Sequence, residues 1–319
     1  MVTSTTDALS AATSRPPHPL HDYVRKVESS EILVQDWRQD SAESQIVTLR
    51  WPRAHAFYTL REDVTSPLLF TESVRQALAL LSNTVHHIPL DHRLGWEYAR
   101  FSVAPDAFRG DARPALVDLR VTHTAVSRRR LGSVQVTAMI EATGDGAYAG
   151  SAEIRYITHP PAFYNRLRGR YADAGESFAK AAPPPPPVDA ALVGRGCPRD
   201  VVLASTGTPH RWQLRTDTTH EVLFDHSHDH VPGMVLLEAA AQAAQAEAGP
   251  RPVLAVGYET TFSRYVELDQ ACWITAEPAA PDLLGRSRLK VDAVQGDHLV
   301  SSTLVSVEPL DAAPADPVH

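Results

Sequence analysis

Two stretches of this chain are apolar in the rhythm of a helix, and each is flanked by stretches apolar in the rhythm of strands. Between Pro67 and Leu81, the residues Phe70, Val74, Ala77 and Leu81 fall on one stripe at helical spacing. The second such stretch, from Pro232 to Gly249, is almost entirely Ala, Leu, Val and Met, broken only by Glu238, Gln242, Gln245 and Glu247. Pro232 suits a first helical turn, where a missing N–H leaves nothing unpaired, and Gly249-Pro250 marks the stop, so the helix runs for roughly 16 residues. A helix apolar on nearly every side expects cover all round, as when a sheet wraps it.

Strand-like runs at 31–34, 46–51 and 57–60 precede the first helix, and alternating runs at 117–121, 134–140 and 152–156 follow it. Around the second helix the order repeats, with runs at 201–203 and 212–214 before it and 271–275, 288–291 and 298–305 after it. Glu72 and Gln76 on the first helix are separated from Glu238 and Gln242 on the second by the same interval, so the two helices superimpose in register. One apolar helix with a run of antiparallel strands, twice over, predicts an α+β fold of two units. Each is a sheet curled round its helix, and the two pair edge to edge as an intrachain pseudo-dimer. The predicted boundaries are a disordered leader at 1–20, a first repeat at 21–158, an Arg- and Pro-rich linker at 159–196, a second repeat at 197–309 and a loose tail at 310–319. Five prolines from 183 to 187 make the linker a semi-rigid extended spacer.

Composition narrows the class. A net charge of -8 argues against nucleic acid as a partner, since phosphate backbones need a basic surface. Cys197 and Cys272 are too few for a disulfide framework, the first 20 residues lack an apolar signal-like run, and no stretch of about 18 apolar residues is present to span a bilayer. The expectation is a soluble protein of the cytoplasm with no membrane partner.

Candidate chemistry gathers at the second helix. Glu238 and Gln242 are four apart and share a face, and a carboxylate in an apolar setting is costly without a partner or a task. His226-Ser-His228-Asp229-His230 just upstream invites a metal reading, but it is one residue short of the H-x-H-x-D-H spacing of binuclear zinc hydrolases, so no metal and no cofactor is expected.

The segment D-H-V-P-G-M-V-L-L-E-A-A-A-Q-A-A at 229–244, with W-P-R-A-H-A-F-Y at 51–58 and P-L-L-F-T-E-S-V-R-Q-A at 67–77, resembles the AfsA-type proteins, the A-factor (γ-butyrolactone autoregulator) biosynthesis enzymes. The similarity covers roughly residues 20 to 308. It implies tandem hot-dog domains, and transfer of a β-ketoacyl group from an acyl-carrier-protein thioester to the hydroxyl of dihydroxyacetone phosphate, with later cyclisation towards a butenolide phosphate. Hot-dog sites also serve thioesterases and 3-hydroxyacyl dehydratases, and a non-catalytic acyl-binding module is a further alternative. Further self-association of the pseudo-dimer is left open.

The implied chemistry needs a polarised thioester carbonyl, a deprotonated alcohol and a phosphate site. Backbone N–H groups at Gly233 and Met234 suit the first. For the second, Glu238 is expected if burial raises its pKa, with His226 or His230 as the imidazole option and Gln242 beside them. Arg75, Arg264 and the arginines at 166, 168 and 170 are candidates for the third, with Glu72 and Gln76 contributed across the repeats. In the family the resemblance points to, Arg often precedes the helix Gln; the first repeat keeps it at Arg75, whereas the second has Ala241, which counts against a phosphate-binding role at that position. Only the second helix opens on Pro-Gly with histidines upstream, so Glu238 is expected at the chemical centre and Glu72 as its structural counterpart. Arg128 to Arg130, at a predicted hairpin turn, are a candidate docking patch for an acidic carrier protein.

Overall fold

The computed structural model describes residues 20–110 and 113–310. The expected leader and tail lie outside them, except for Leu20, which opens a short helix, and Leu310, which is buried.

In chain order the first repeat is α1 (Leu20–Val24), β1 (Val34–Gln39), β2 (Ser44–Arg50), a small side hairpin of β3 (Thr59–Arg61) and β4 (Val64–Thr65), α2 (Leu68–Thr84), β5 (Arg93–Val103), β6 (Leu116–Arg128), β7 (Val134–Gly144) and β8 (Ala147–His159). Two helices follow, α3 (Pro161–Arg168) and α4 (Ala174–Ala179). The second repeat is β9 (Leu203–Ser205), β10 (Arg211–Leu214), α5 (Gly233–Ala248), β11 (Val253–Phe262), β12 (Cys272–Ala279), β13 (Ser287–Gln295) and β14 (His298–Pro309).

Both helices behave as their composition requires. The α2 stripe of Phe70, Val74, Ala77 and Leu81 is fully buried, and α5, 16 residues long with Pro232 as its N-cap, is covered along most of its length. The sheet order is β1-β2-β6-β7-β8-β5-β11-β14-β13-β12-β10-β9. Read outward from its centre, each half has the same sequence of equivalent strands. The double hot-dog expectation therefore holds, with one refinement: the two curled sheets are halves of a single 12-stranded sheet, fused where β5 pairs antiparallel with β11.

Those two seam strands are absent from the periodicity reading. Each alternates over only part of its length, β5 from Ala99 to Val103 and β11 from Tyr258 to Thr261: before that, β5 has half-buried residues from Leu94 to Glu97, and β11 begins as a continuous apolar run and carries a register shift between Ala255 and Gly257. Gly257 is small for a reason, since a Cβ there would lie 3.3 Å from Ser306 Cβ and 3.4 Å from the Phe101 carbonyl oxygen across the seam.

The linker also departs from a free spacer. Its proline run is tied down where Arg215 Nε donates to the Pro185 carbonyl (3.1 Å) and Val188 N–H to that of Leu203 (3.0 Å). At its two ends it buries a guanidinium apiece, Arg168 and Arg195, each 7% exposed.

Candidate active site

A cavity of about 800 Å³ opens at the N-terminus of α5 and spans the seam between the repeats. Leu94 and Trp96 of β5 and Ile157 of β8 form one apolar wall, and Leu236, Phe262 and Val300 another. Gly233 and Met234 line it at the first turn of α5, where backbone N–H groups have no carbonyl four residues back to bond. Gly233 keeps the approach open, its missing Cβ lying 3.4 Å from Phe262 Cε1.

His230 faces the same space. Its Nδ1 is 2.9 Å from Asp229 Oδ1, and its ring packs edge-on to Tyr265 with centroids 4.7 Å apart. With Nδ1 engaged, Nε2 is the nitrogen left to act on a ligand. Asp229 is itself clamped: Tyr164 Oη donates to Oδ2 (2.6 Å), Arg168 Nε donates to the same oxygen (2.9 Å), and Arg168 Nη2 donates to the Asp229 carbonyl (2.8 Å). Burial works to raise the Asp229 pKa, but the bonds from His230, Tyr164 and Arg168 outweigh it and hold the carboxyl well below its usual range. The rest of the Arg168 fork is taken up by Glu267 (2.8 and 2.6 Å), and its plane lies 4.3 Å over the Tyr265 ring.

The arginine candidates separate by what already holds them. Arg75 lines the cavity, yet its Nε and Nη2 both donate to Glu72 (2.8 Å each) and Nη2 also reaches the Val24 carbonyl. Glu72, with Lys26 Nζ at 3.5 Å, has its pKa lowered to about 2: burial opposes this, but Arg75 and Lys26 overcome it. Arg168 is saturated, and Arg170 donates to Tyr171 Oη. Arg264 lines the cavity, is exposed, and among the described residues has no hydrogen bond or ion pair from its guanidinium.

Glu238 lies elsewhere. It is 1% exposed, does not line the cavity, and is paired with Arg195, whose Nε donates to Oε1 (2.8 Å) and whose Nη2 meets Oε2. Arg195 also donates to the Phe57 carbonyl and stacks on that ring, which closes off the region. The apolar isolation that would make Glu238 a base is replaced by an ion pair. Gln242 clamps the chain by accepting from Val202 N–H (2.9 Å) and donating to the Asp200 carbonyl (2.8 Å); Gln76 does the same with Leu33 and Glu31 in the first repeat. A matching His–carboxylate pair, His55 with Glu31 and His220 with Asp200, completes the duplicated scaffold. His226 sits outside the cavity lining, with Nδ1 bonded to Asp225 Oδ1 at 2.6 Å. Among the described residues, Asp225, His226 and His228 bring donor atoms within 4.8 Å of one another, but Lys26 Nζ stands 3.8 Å from the Asp225 carboxylate and already supplies a cation there.

The structure thus gathers His230, Gly233, Met234, Arg75 and Arg264, and sets apart Glu238, Gln242, Gln76, Glu72 and His226. Asp229, Tyr164, Glu267 and Arg195 escaped the sequence reading as functional residues, and Arg168, a phosphate candidate there, is instead committed to Asp229 and Glu267. Only Asp229, adjacent to His230, carried a local signal.

A family model for the A-factor biosynthesis hotdog domain, AfsA, matches residues 10–160 and 177–310. The chain belongs to the AfsA family. Two AfsA-like relatives are each named 2-oxo-3-(phosphooxy)propyl 3-oxoalkanoate synthase. The one from Streptomyces virginiae is 38% identical over 89% of this chain and 95% of its own length. The one from Streptomyces coelicolor is 31% identical over 96% of each. Among solved structures, the 12:0-ACP thioesterase from Umbellularia californica superposes with a TM-score of 0.50 at 10% identity, covering 85% of this chain and 99% of that one, which speaks to the fold alone. No helix among the described residues is long and apolar enough to cross a membrane.

Proposed function

We propose that this protein is the acyltransferase that joins a β-ketoacyl group, delivered as an acyl-carrier-protein thioester, to the free hydroxyl of dihydroxyacetone phosphate. The relatives' name describes the ester that this reaction makes. The observation that carries the reading is the cavity itself, where an oriented imidazole, a helix N-terminus and an unpaired guanidinium meet between two apolar walls.

Each part has a task. The β-ketoacyl chain lies against the Trp96 and Phe262 walls. His230 Nε2 takes the proton of the attacking hydroxyl, whose oxygen adds to the thioester carbonyl carbon. The oxyanion that forms is met by the Gly233 and Met234 N–H groups, where the α5 dipole adds to their pull. On collapse the C–S bond breaks and the thiolate receives the proton from His230. Arg264 holds the phosphate, because Arg75 and Arg168 have spent their donors on carboxylates. The ester formed has an acidic methylene carbon and a ketone carbon at the two ends of a five-atom chain, so their condensation with loss of water closes a butenolide phosphate.

Docking of the carrier protein falls to the β6–β7 turn. Arg128, Arg129 and Arg130 stand there beside the exposed Leu131. The turn is tied to the cavity wall, with Ser133 Oγ 2.7 Å from His159 Nδ1 and Gln135 bonded to Glu97, both lining residues. A basic, partly apolar rim of this kind complements an acidic carrier.

The experiment mixes a β-ketoacyl thioester with dihydroxyacetone phosphate and reads the products by mass spectrometry. A phosphate ester is expected, and Arg264→Ala is expected to raise KM for dihydroxyacetone phosphate at least 10-fold, about 1.4 kcal/mol or more. Free acid formed at the same rate with or without dihydroxyacetone phosphate would make the protein a thioesterase, and a dehydrated acyl chain would make it a hydratase.

A further inference from the structure

We infer that α3, between the two segments the family model matches, belongs to the catalytic apparatus: Tyr164 and Arg168 clamp Asp229 so that it orients His230, and Glu267 sets how much of the Arg168 charge Asp229 feels. The inference rests on His230 as the base of the proposed reaction, and it makes Tyr164, Arg168 and Glu267 positioning residues.

The geometry is specific. A carboxylate next to an imidazole does two things at once: it fixes which ring nitrogen carries the proton, and it stabilises the imidazolium. The first helps a base and the second, unchecked, holds the proton too tightly. Here Asp229 Oδ2 is already shared between a phenol at 2.6 Å and a buried guanidinium at 2.9 Å, leaving Oδ1 for His230 at 2.9 Å. The orientation is kept while part of the carboxylate charge is drawn off. Glu267 closes the arrangement by holding the other face of the Arg168 fork through two bonds, and Tyr265 lies between, touching both the guanidinium (4.3 Å) and the His230 ring (4.7 Å). A guanidinium merely anchoring the linker needs one such acceptor. Arg168 has two carboxylates, a carbonyl and two aromatic rings: Asp229 supplies a carboxylate and the carbonyl from the loop that carries His230, and Glu267 and Tyr265 stand on the loop after β11, where Tyr265 packs on the His230 ring.

The sign of each change follows. Removing the Arg168 charge, or the Tyr164 hydroxyl, returns charge to Asp229, and the acid limb of the rate profile moves up. Removing the Glu267 charge leaves Arg168 less compensated, and the limb moves down. Arg75 of α2, Glu97 of β5, His159 of β8, Arg170, Arg264, and His298 of β14 also line this space, and His228 acts electrostatically on His230 from the same loop; all are unchanged by these substitutions, so the difference between variants isolates the clamp.

The test measures kcat against pH for the full chain with Tyr164→Phe, Arg168→Met, Arg168→Lys, Glu267→Gln and His230→Gln, with thermal unfolding run beside each. Shifts of the acid limb on the order of one pH unit are expected, upward for Tyr164→Phe and Arg168→Met and downward for Glu267→Gln. Arg168→Lys, which keeps the charge, should leave the limb near the parent's. Tyr164→Phe preserves shape and serves if Arg168→Met fails to fold. A limb that stays in place in every folded variant, while His230→Gln loses ester formation, overturns the clamp and leaves the base standing. If His230→Gln retains ester formation, the assignment of the base itself is overturned.

Discussion

At the scale of single residues, four arginines show how one chemistry is put to different ends. Arg75, Arg168 and Arg195 are each bound to buried or half-buried carboxylates, and of the four, Arg264 alone presents to the cavity a fork uncommitted among the described residues. Glu238 and Arg195 form a pair in which either partner alone would be an uncompensated buried charge. Glu238→Gln is therefore expected to cost about 3 to 5 kcal/mol of stability, with a smaller loss in kcat of the folded fraction than His230→Gln produces. Denaturant unfolding beside turnover measurements decides: a large fall in kcat with stability intact would return the base to Glu238. Titration gives a second expectation. Burial, with His86 close by, lowers the His123 pKa to about 4, and burial likewise lowers that of His86, whose ring centroid lies 4.2 Å from that of His123. An imidazole with a depressed folded pKa contributes stability that is present above its unfolded value near 6.5 and lost as pH falls from there towards 4. Glu72, at about 2 when folded, extends the loss below 4.5. Stability should fall steadily from pH 6.5 downward, and His123→Gln should flatten the upper part of that slope. An unchanged slope between pH 6.5 and 4 would remove His123 from the account.

At the scale of elements, the site is made by ends and edges rather than by the middles of helices. The first turn of α5 offers N–H groups, the loop before it offers His230, α3 clamps that loop, and β5 and β11 supply the floor between the repeats. The β6–β7 turn is the element that carries the docking proposal. Replacing Arg128, Arg129 and Arg130 together with Glu should raise KM for the carrier-bound acyl donor by at least 10-fold, with kcat and KM for dihydroxyacetone phosphate held near the parent's. Because rim charges act chiefly on encounter, the effect should shrink as salt is added. An unaltered KM for the carrier-bound donor would show the turn to be a solvated face.

At the scale of the whole molecule, the two repeats share a scaffold and differ at their helix starts. Each has a Gln clamp, a His–carboxylate pair and a helix carboxylate joined to a cation, but the open cavity lies at α5. At the corresponding start of α2, Pro67 is followed by Leu68, which is fully buried. Because β5 and β11 make the sheet continuous, and Tyr98 to Ser102 pair residue by residue with Gly257 to Thr261, neither half has a finished edge without the other. Calorimetry should show one cooperative unfolding transition for the full chain. Two resolved transitions would mean that the repeats are independent domains joined by contact.

Periodicity alone determined a good deal: two helices in register, the strands β2, β6 to β8, β10 and β12 to β14, and the turn at Arg128 to Arg130, whereas the runs at 31–34 and 201–203 meet β1 and β9 at a single residue each. These are local properties, since the spacing of apolar side chains states which face of an element is covered. It did not reveal β5 and β11, because where they floor the cavity and cross the seam they have no single covered face, and the alternation is confined to the short stretches 99–103 and 258–261. Nor did it distinguish Glu238 from a base or Arg264 from the other arginines. Whether a buried charge is free or spent depends on what the fold brings against it from far along the chain, Arg195 to Glu238 and Arg168 to Asp229. Sequence lists the charges; only tertiary packing pairs them, because the electrostatics of burial are decided by neighbours in space.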